Sequence, residues 1–256
     1  MRRVVSIISV VFICVMILGL SLLFIPKSSS GNNNNGTNQT ATIDFSNKTY
    51  IAFGDSITFG ADYTRGYAQM DNPYSELVAS TLGMKSYKNA GVSGATLCTN
   101  TLDLACISDI VTNTSSSYDI ISLLGGVNDY NRNLPLGHYG DFENTTIYGS
   151  LDVIAKHLTT TFSDSFIFFM TPYREYWQGV HCLSQNSQGY NLEDVANAVK
   201  QVANKYSIPV LDLFNLGQFE LEMYTSGSDG LHPSQEFVTN YTAPQIAQFI
   251  KDNYKK

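Results

Sequence analysis

Residues 118–126 read YDIISLLGG, an apolar run with no polar alternation that ends on two glycines. A strand with one wet face would alternate apolar and polar residues. A continuous run bounded by a turn signal fits a strand covered on both faces. Four more short runs recur, TYIAFG at 49–54, KSYKNAG at 85–91, SFIFFMT at 165–171 and IPVLDLF at 208–214, the last two nearly continuous as well. The second is the most polar and is expected nearer a sheet edge. Between the runs lie segments of helical period. PYSELVASTLG at 73–83 opens on Pro73 and closes on Gly83, the asymmetry of a helix. Ile147, Leu151, Ile154 and Leu158 recur at three- and four-residue steps, as do Leu192, Val195, Val199 and Val202. A closing segment, 233–253, is interrupted by Pro244. Strands alternating with helices predict an α/β domain with a parallel sheet and helices on both faces. In such sheets ligands gather at the carboxyl ends of the strands.

The chain before this domain is different in kind. Residues 4–25 carry no charge, and Arg2 and Arg3 precede them. As a helix this run would extend roughly 33 Å, enough to cross a bilayer, with the arginines on the cytoplasmic side. The alternative is a cleaved signal peptide, with SSSG at 28–31 as the cleavage region. Lys27 to Thr42 is almost entirely Ser, Gly, Asn and Thr and is expected to be a flexible tether. The expected organisation is an anchor or signal over residues 1–27, a linker over 28–43 and one domain over 44–256. The domain would stand outside the cytoplasmic membrane on a single-pass anchor, or be secreted after cleavage.

Of 256 residues, 43% are hydrophobic, enough for one compact domain with a core. Arg2, Arg3 and Lys27 account for three of the 15 basic residues, and none of the 22 acidic ones precedes residue 41. The domain is therefore acidic, which argues against nucleic acid as a partner. No glycine-rich dinucleotide fingerprint, P-loop or zinc-ligand spacing is present, so no cofactor or metal is expected. Cys14 falls in the apolar run; of the other three, Cys98 and Cys106 flank a short loop and are expected either to bridge or to remain two free thiols.

Each strand end carries a polar cluster. GDSIT follows the first run, NAGVSGAT the second and GGVNDY the third, while SDGLHPS lies before the closing helix. Ser56 can act as a nucleophile if a base takes its proton. His232 can be that base, and Asp229 three residues earlier can orient it. The Ser56 N–H, the Gly94 N–H and the Asn128 side-chain amide can serve as donors to an oxyanion. Gly91 is a second candidate for the glycine donor, and Asp55 is expected to support the turn. Each motif alone also reads as an ordinary turn or helix cap; their order on one sheet edge is what points to acyl transfer.

Taken together, GDSIT, NAGVSGAT, GGVND and DGLHPS resemble the four sequence blocks of the GDSL/SGNH hydrolase superfamily, over about residues 49–235. The resemblance implies a flavodoxin-like three-layer α/β/α sandwich with a five-stranded parallel sheet and a metal-free serine esterase. It assigns Ser56, Asp229 and His232 to the triad and Ser56, Gly94 and Asn128 to the oxyanion hole. The segment YREYWQGVHCLSQNSQGY at 173–190 departs from the pattern and leaves the substrate open. Tyr63, Tyr67, Tyr130, Tyr139, Tyr173, Tyr176 and Trp177 lie on expected loops, either as ordinary core and loop aromatics or as a sugar-stacking platform. The expected substrate is a short acyl ester, small or borne on a glycan. An acyltransferase with the same triad and a non-catalytic binding module are the alternatives.

Overall fold

A computed structural model of the protein describes residues 43–99, 101–216 and 229–255. The expected anchor and tether, residues 1–42, lie outside the described residues. Among the described residues no helix is long and apolar enough to cross a membrane.

Five parallel strands form the central sheet: β1 (Thr49–Gly54), β2 (Ser86–Gly91), β3 (Ile120–Leu124), β4 (Phe166–Met170) and β5 (Val210–Leu211), in the order β2-β1-β3-β4-β5. The apolar runs sit where their hydrophobicity demands. Tyr50 to Phe53, every residue of β3 except Ser122, and Ile167 to Met170 are buried apolar side chains. Ser122 is buried too and is satisfied by the Tyr50 hydroxyl at 2.8 Å. The more polar β2 lies at an edge, as its sequence suggests.

The fifth run is shorter as a strand than 208–214 predicts. Pro209 has no N–H to give a ladder, so it stands at the strand's start and only accepts, from Phe169 N. After Leu211 the chain turns into a 3₁₀ turn, Leu213–Asn215, whose Phe214 N–H donates to Thr171 Oγ1.

The helices follow their capping signals. α1 (Ser56–Phe59) is a single turn after β1. α2 (Tyr74–Leu82) starts after Pro73 and ends on Gly83 in the left-handed region. α3 (Ile107–Thr112) and α4 (Val127–Asn131) are short. α5 (Ile147–Thr161) is capped by the Thr146 hydroxyl, and α6 (Leu192–Lys205) by a reciprocal Asn191–Asp194 capping box. α7 (Ala243–Asn253) closes the chain. Pro244 does not break this last segment. A π turn, Val238–Thr242, precedes it and absorbs the missing proline donor by widening the helix. α3, α5 and α6 pack in succession along the sheet, and α2 pairs with α7, so helices cover the strands on both sides.

Cys98, Cys106 and Cys182 are free and buried. The Cys98 thiol donates to Asp129 Oδ1 and the Cys106 thiol to the Leu97 carbonyl, each at 3.2 Å. The bridge that their spacing allows is therefore not formed.

Candidate active site

The carboxyl ends of β1, β2 and β3 bring three of the sequence clusters to one edge of the sheet. β1 stops at Gly54, where any side chain would strike the Leu124 carbonyl and the Thr58 side chain. The closeness is needed because Gly54 is flanked by β2 and β3 in register with Gly91 and Leu124. Asp55 then caps α1, accepting from Ile57 N at 2.9 Å. That cap makes Ser56 the first residue of the turn. N–H groups in a first helical turn have no intrahelical partner, so the Ser56 N–H is left for other work.

Ser56 Oγ and His232 Nε2 are 2.9 Å apart. On the other side of the ring, His232 Nδ1 and Asp229 Oδ2 are 3.0 Å apart. The three residues thus form one hydrogen-bonded chain, with Ser56 and His232 both buried. Asp229 is set by its own turn: Oδ1 accepts from Leu231 N at 3.0 Å and from His232 N at 2.8 Å. Burial by itself would raise this carboxyl. Donation from the His232 ring and from the His232 and Leu231 backbone outweighs it and holds the group at about 2.

The two glycine candidates separate clearly. The Gly91 N–H is already given to Asn89 Oδ1 at 2.9 Å, and a side chain at Gly91 would strike the Thr58–Phe59 backbone. Gly91 is thus a point of close approach beneath α1. Gly94, at φ 78°, sits in the turn beyond β2, and its N–H meets no acceptor among the described residues. Asn128, on the first turn of α4, gives one amide hydrogen to the Ala95 carbonyl at 2.9 Å. This ties Asn128 to the residue after Gly94 and leaves its second hydrogen uncommitted. Its neighbour Asp129 is fully buried and holds the same loop, accepting from Leu97 N and Cys98 N.

Three further carboxyls in this region, those of Asp55, Asp129 and Glu175, are buried. Burial raises Asp55 to about 7; only one of its oxygens has a partner. Burial also raises Asp129. Glu175, 2% exposed, is pushed up to about 8 by burial, although Asn131 Nδ2 donates to it at 3.1 Å. Asp229 and Asp55 are both near enough to Glu175 to add to the rise.

Two supporting residues are absent from the sequence reading of the triad. Tyr67 donates its hydroxyl to Asp229 Oδ2 at 3.2 Å and sets its ring edge-on to the His232 ring at 5.2 Å. Glu175 belongs to the 173–190 segment, which also forms a hairpin of Tyr176–Trp177 against Val180–His181. Tyr176 N donates to the Gly230 carbonyl at 3.0 Å, so this segment braces the Asp229 turn. Of the loop aromatics, Tyr130 and Tyr173 are core residues, whereas Tyr63, Tyr67, Tyr139 and Tyr176 are exposed. Between α4 and the hairpin lies a hollow of about 250 Å³ whose lining includes Tyr130, Asn131, Asn133, Trp177 and Gln178.

A model of the GDSL-like lipase/acylhydrolase family matches residues 52–237, a span that holds every strand-end cluster described above. Among solved structures, the chain is similar to a protein from Lactobacillus plantarum at 25% identity and a TM-score of 0.71, over 83% of this chain and 100% of that one. A possible lipase from Chitinophaga pinensis aligns at 22% identity and a TM-score of 0.63, over 80% and 98%. The aryl esterase of M. smegmatis shares the fold at 18% identity and a TM-score of 0.58, over 80% and 99%. No curated protein matches the sequence.

Proposed function

The chain belongs to the GDSL-like lipase/acylhydrolase family and is an ester-hydrolysing enzyme, and on that premise we propose that it works through Ser56, His232 and Asp229 on short acyl esters carried by a glycan. The observation that carries this reading is the unbroken chain of hydrogen bonds from Ser56 Oγ through the His232 ring to Asp229.

In this reading His232 Nε2 takes the Ser56 proton as Oγ attacks the ester carbonyl. Asp229, held ionised, keeps the Nδ1–H tautomer and stabilises the imidazolium that forms. Negative charge grows on the former carbonyl oxygen. The Ser56 N–H, the Gly94 N–H and the free hydrogen of Asn128 meet it without reorganising. The tetrahedral species collapses, His232 returns the proton to the leaving alcohol, and an acyl-enzyme remains. Water then repeats the sequence: His232 takes its proton, and the acid leaves as Ser56 Oγ is reprotonated. Every step uses groups already in place.

Support for a small, polar substrate comes from the surroundings. Exposed Tyr63, Tyr67 and Tyr176, and the hollow lined by Trp177 with amide side chains, suit sugar rings better than acyl tails. The uncharged run at 4–25 after Arg2 and Arg3 supports a domain tethered outside the cytoplasmic membrane. Fractionation with external protease tests that placement; a soluble form beginning near residues 28–31 would replace the anchor by a cleaved signal. The catalytic reading is tested by Ser56→Ala, which should lower turnover of an aryl acetate by several orders of magnitude with the fold intact. Near-normal turnover in that variant would remove Ser56 from the mechanism.

A further inference from the structure

Asn128 and Arg132 stand four residues apart, and the Arg132 N–H closes the helical turn onto the Asn128 carbonyl at 3.0 Å. Residues at this spacing share a helix face, and their side chains lean toward the helix N-terminus. The Arg132 side chain therefore lies over the turn that carries Asn128. Its terminus reaches the neighbouring loop: Nη2 is 3.5 Å from where a side chain on Gly94 would begin. Asn128 is itself tied to Ala95. Arg132, Gly94 and Asn128 thus make one patch at the ends of β2 and β3.

The guanidinium in this patch is unspent. It has no hydrogen bond or ion pair to any described residue, and its Nε is buried without a partner. The other two described arginines are engaged: Arg65 pairs with Asp71 at 2.7 Å, and Arg174 donates to the Phe214 carbonyl and covers the Phe214 ring. A buried donor left without an acceptor is costly, and a guanidinium offers five in a planar fork suited to carboxylate or phosphate. The domain has acidic residues in excess, yet none of the described ones pairs with this cation.

We propose that Arg132 is a specificity residue that binds an anionic group, a carboxylate or phosphate, carried by the substrate within a few atoms of the scissile carbonyl. The preferred substrate is then an acyl ester of an acidic molecule, such as an acylated acidic sugar. This rests on the serine-esterase reading above and narrows its substrate. Neutrality of the rest of the site is not required: the fork supplies binding for the anion while the amide donors remain available to the oxyanion.

Two pairs of chromogenic esters test it. In one, the charge is on the acyl side: mono-4-nitrophenyl glutarate against the neutral 4-nitrophenyl pentanoate. In the other it is on the alcohol side: 4-acetoxy-3-nitrobenzoate against its methyl ester. The wild type should favour the charged member of at least one pair in kcat/KM. Arg132→Gln should lower that charged-to-neutral ratio by about tenfold or more, the factor a charged hydrogen-bonded pair supplies, and Arg132→Lys should keep most of it. Added salt should erode the preference in the wild type. A wild type that favours the neutral member of both pairs overturns the proposal, even if Arg132→Gln fails to fold. So does an equal loss on both members, which would make Arg132 an oxyanion donor. A failure of the parent reading shows separately, as neutral-ester turnover that survives Ser56→Ala.

Discussion

The Tyr67 hydroxyl donates to Asp229 Oδ2, the same oxygen that faces His232 Nδ1. A phenol 162 positions away in the chain therefore helps hold the Asp229 carboxylate, while its ring edge covers the His232 imidazole. The backbone at Tyr67 has φ 65°, directly after Gly66, also at 65°. Two successive left-handed residues are unusual, and strain of this kind persists only where the surroundings hold it.

Tyr67→Phe keeps the ring and removes the donor. A hydrogen bond to a charged group contributes about 1.5–3 kcal/mol when buried, and less here because Tyr67 is 46% exposed. The expected loss is about fivefold to tenfold, in kcat rather than KM, because the bond supports the imidazolium that forms during reaction. Tyr67→Ala should cost more, since the ring over His232 also goes. Equal kinetics for wild type and Tyr67→Phe would show that the phenol is not needed to position Asp229.

Asn128→Ala should lower kcat by about 10²–10³-fold, with a smaller change in KM, since the oxyanion exists only in the transition state. The variant also loses the bond to the Ala95 carbonyl, so its melting temperature should fall modestly. Kinetics measured well below that temperature separate the two effects. A lowered melting point with kcat intact would make Asn128 a structural tie and no more.

The buried carboxyl of Glu175 makes stability depend on pH in an unusual direction. Its ordinary value is 4.5 and its folded value about 8, so between these limits the folded chain holds a proton that the unfolded chain has released. Stability from this group is then full below about 4.5, is lost as pH rises through about 8, and levels off once both states are ionised. Glu175→Gln retains an oxygen for the Asn131 amide and has no charge to bury. The variant should melt higher than wild type at pH 8–9, by an amount on the order of a few kcal/mol, with the gap closing near pH 5. Asp229 acts the opposite way: held at about 2 against an ordinary 3.8, its contribution is lost as pH falls through that interval. A Glu175→Gln variant whose melting point tracks the wild type across pH 5–9 would mean that the native carboxyl titrates normally.

How far the sequence alone reaches depends on the range of each interaction. Ser56 and Asn128 are legible because each follows an apolar run that can only be a buried strand, and Gly94 because it follows the more polar run expected at the edge; parallel strands deliver their ends to one edge. Asp229 and His232 are legible because three residues suffice for one turn to join them. Tyr67 carries no such signal; its approach to Asp229 depends on left-handed backbone and on long-range folding. Glu175 is hidden for another reason. Glutamate is seldom buried, so nothing in its type or neighbours points inward. α3 and α4 are too short to display a helical period, and Pro209 shortens β5 where hydropathy alone continues the strand. That the Gly91 N–H is already committed is visible only from where the Asn89 side chain goes.

Chain-length preference follows from what faces the triad. Each buried CH₂ contributes about 0.8 kcal/mol when an apolar channel is there to receive it, so a lipase-like channel would raise kcat/KM steeply with acyl length. The described residues beside the triad and on the neighbouring loops do not build one. Tyr67 presents a hydroxyl, Asn128 and Arg132 present donors, and the hollow beside α4 is lined by Asn131, Asn133 and Gln178 as well as Tyr130 and Trp177. A long acyl tail laid against these groups would strip water from amides and a cation without replacing their hydrogen bonds, which offsets the gain from its methylenes. Among uncharged aryl esters, acetate or propionate should therefore have the highest kcat/KM, with a decline by eight carbons. A steady climb from acetate to octanoate, in wild-type enzyme with Ser56→Ala inactive on every member, would call for an apolar acyl channel and a lipid ester as substrate.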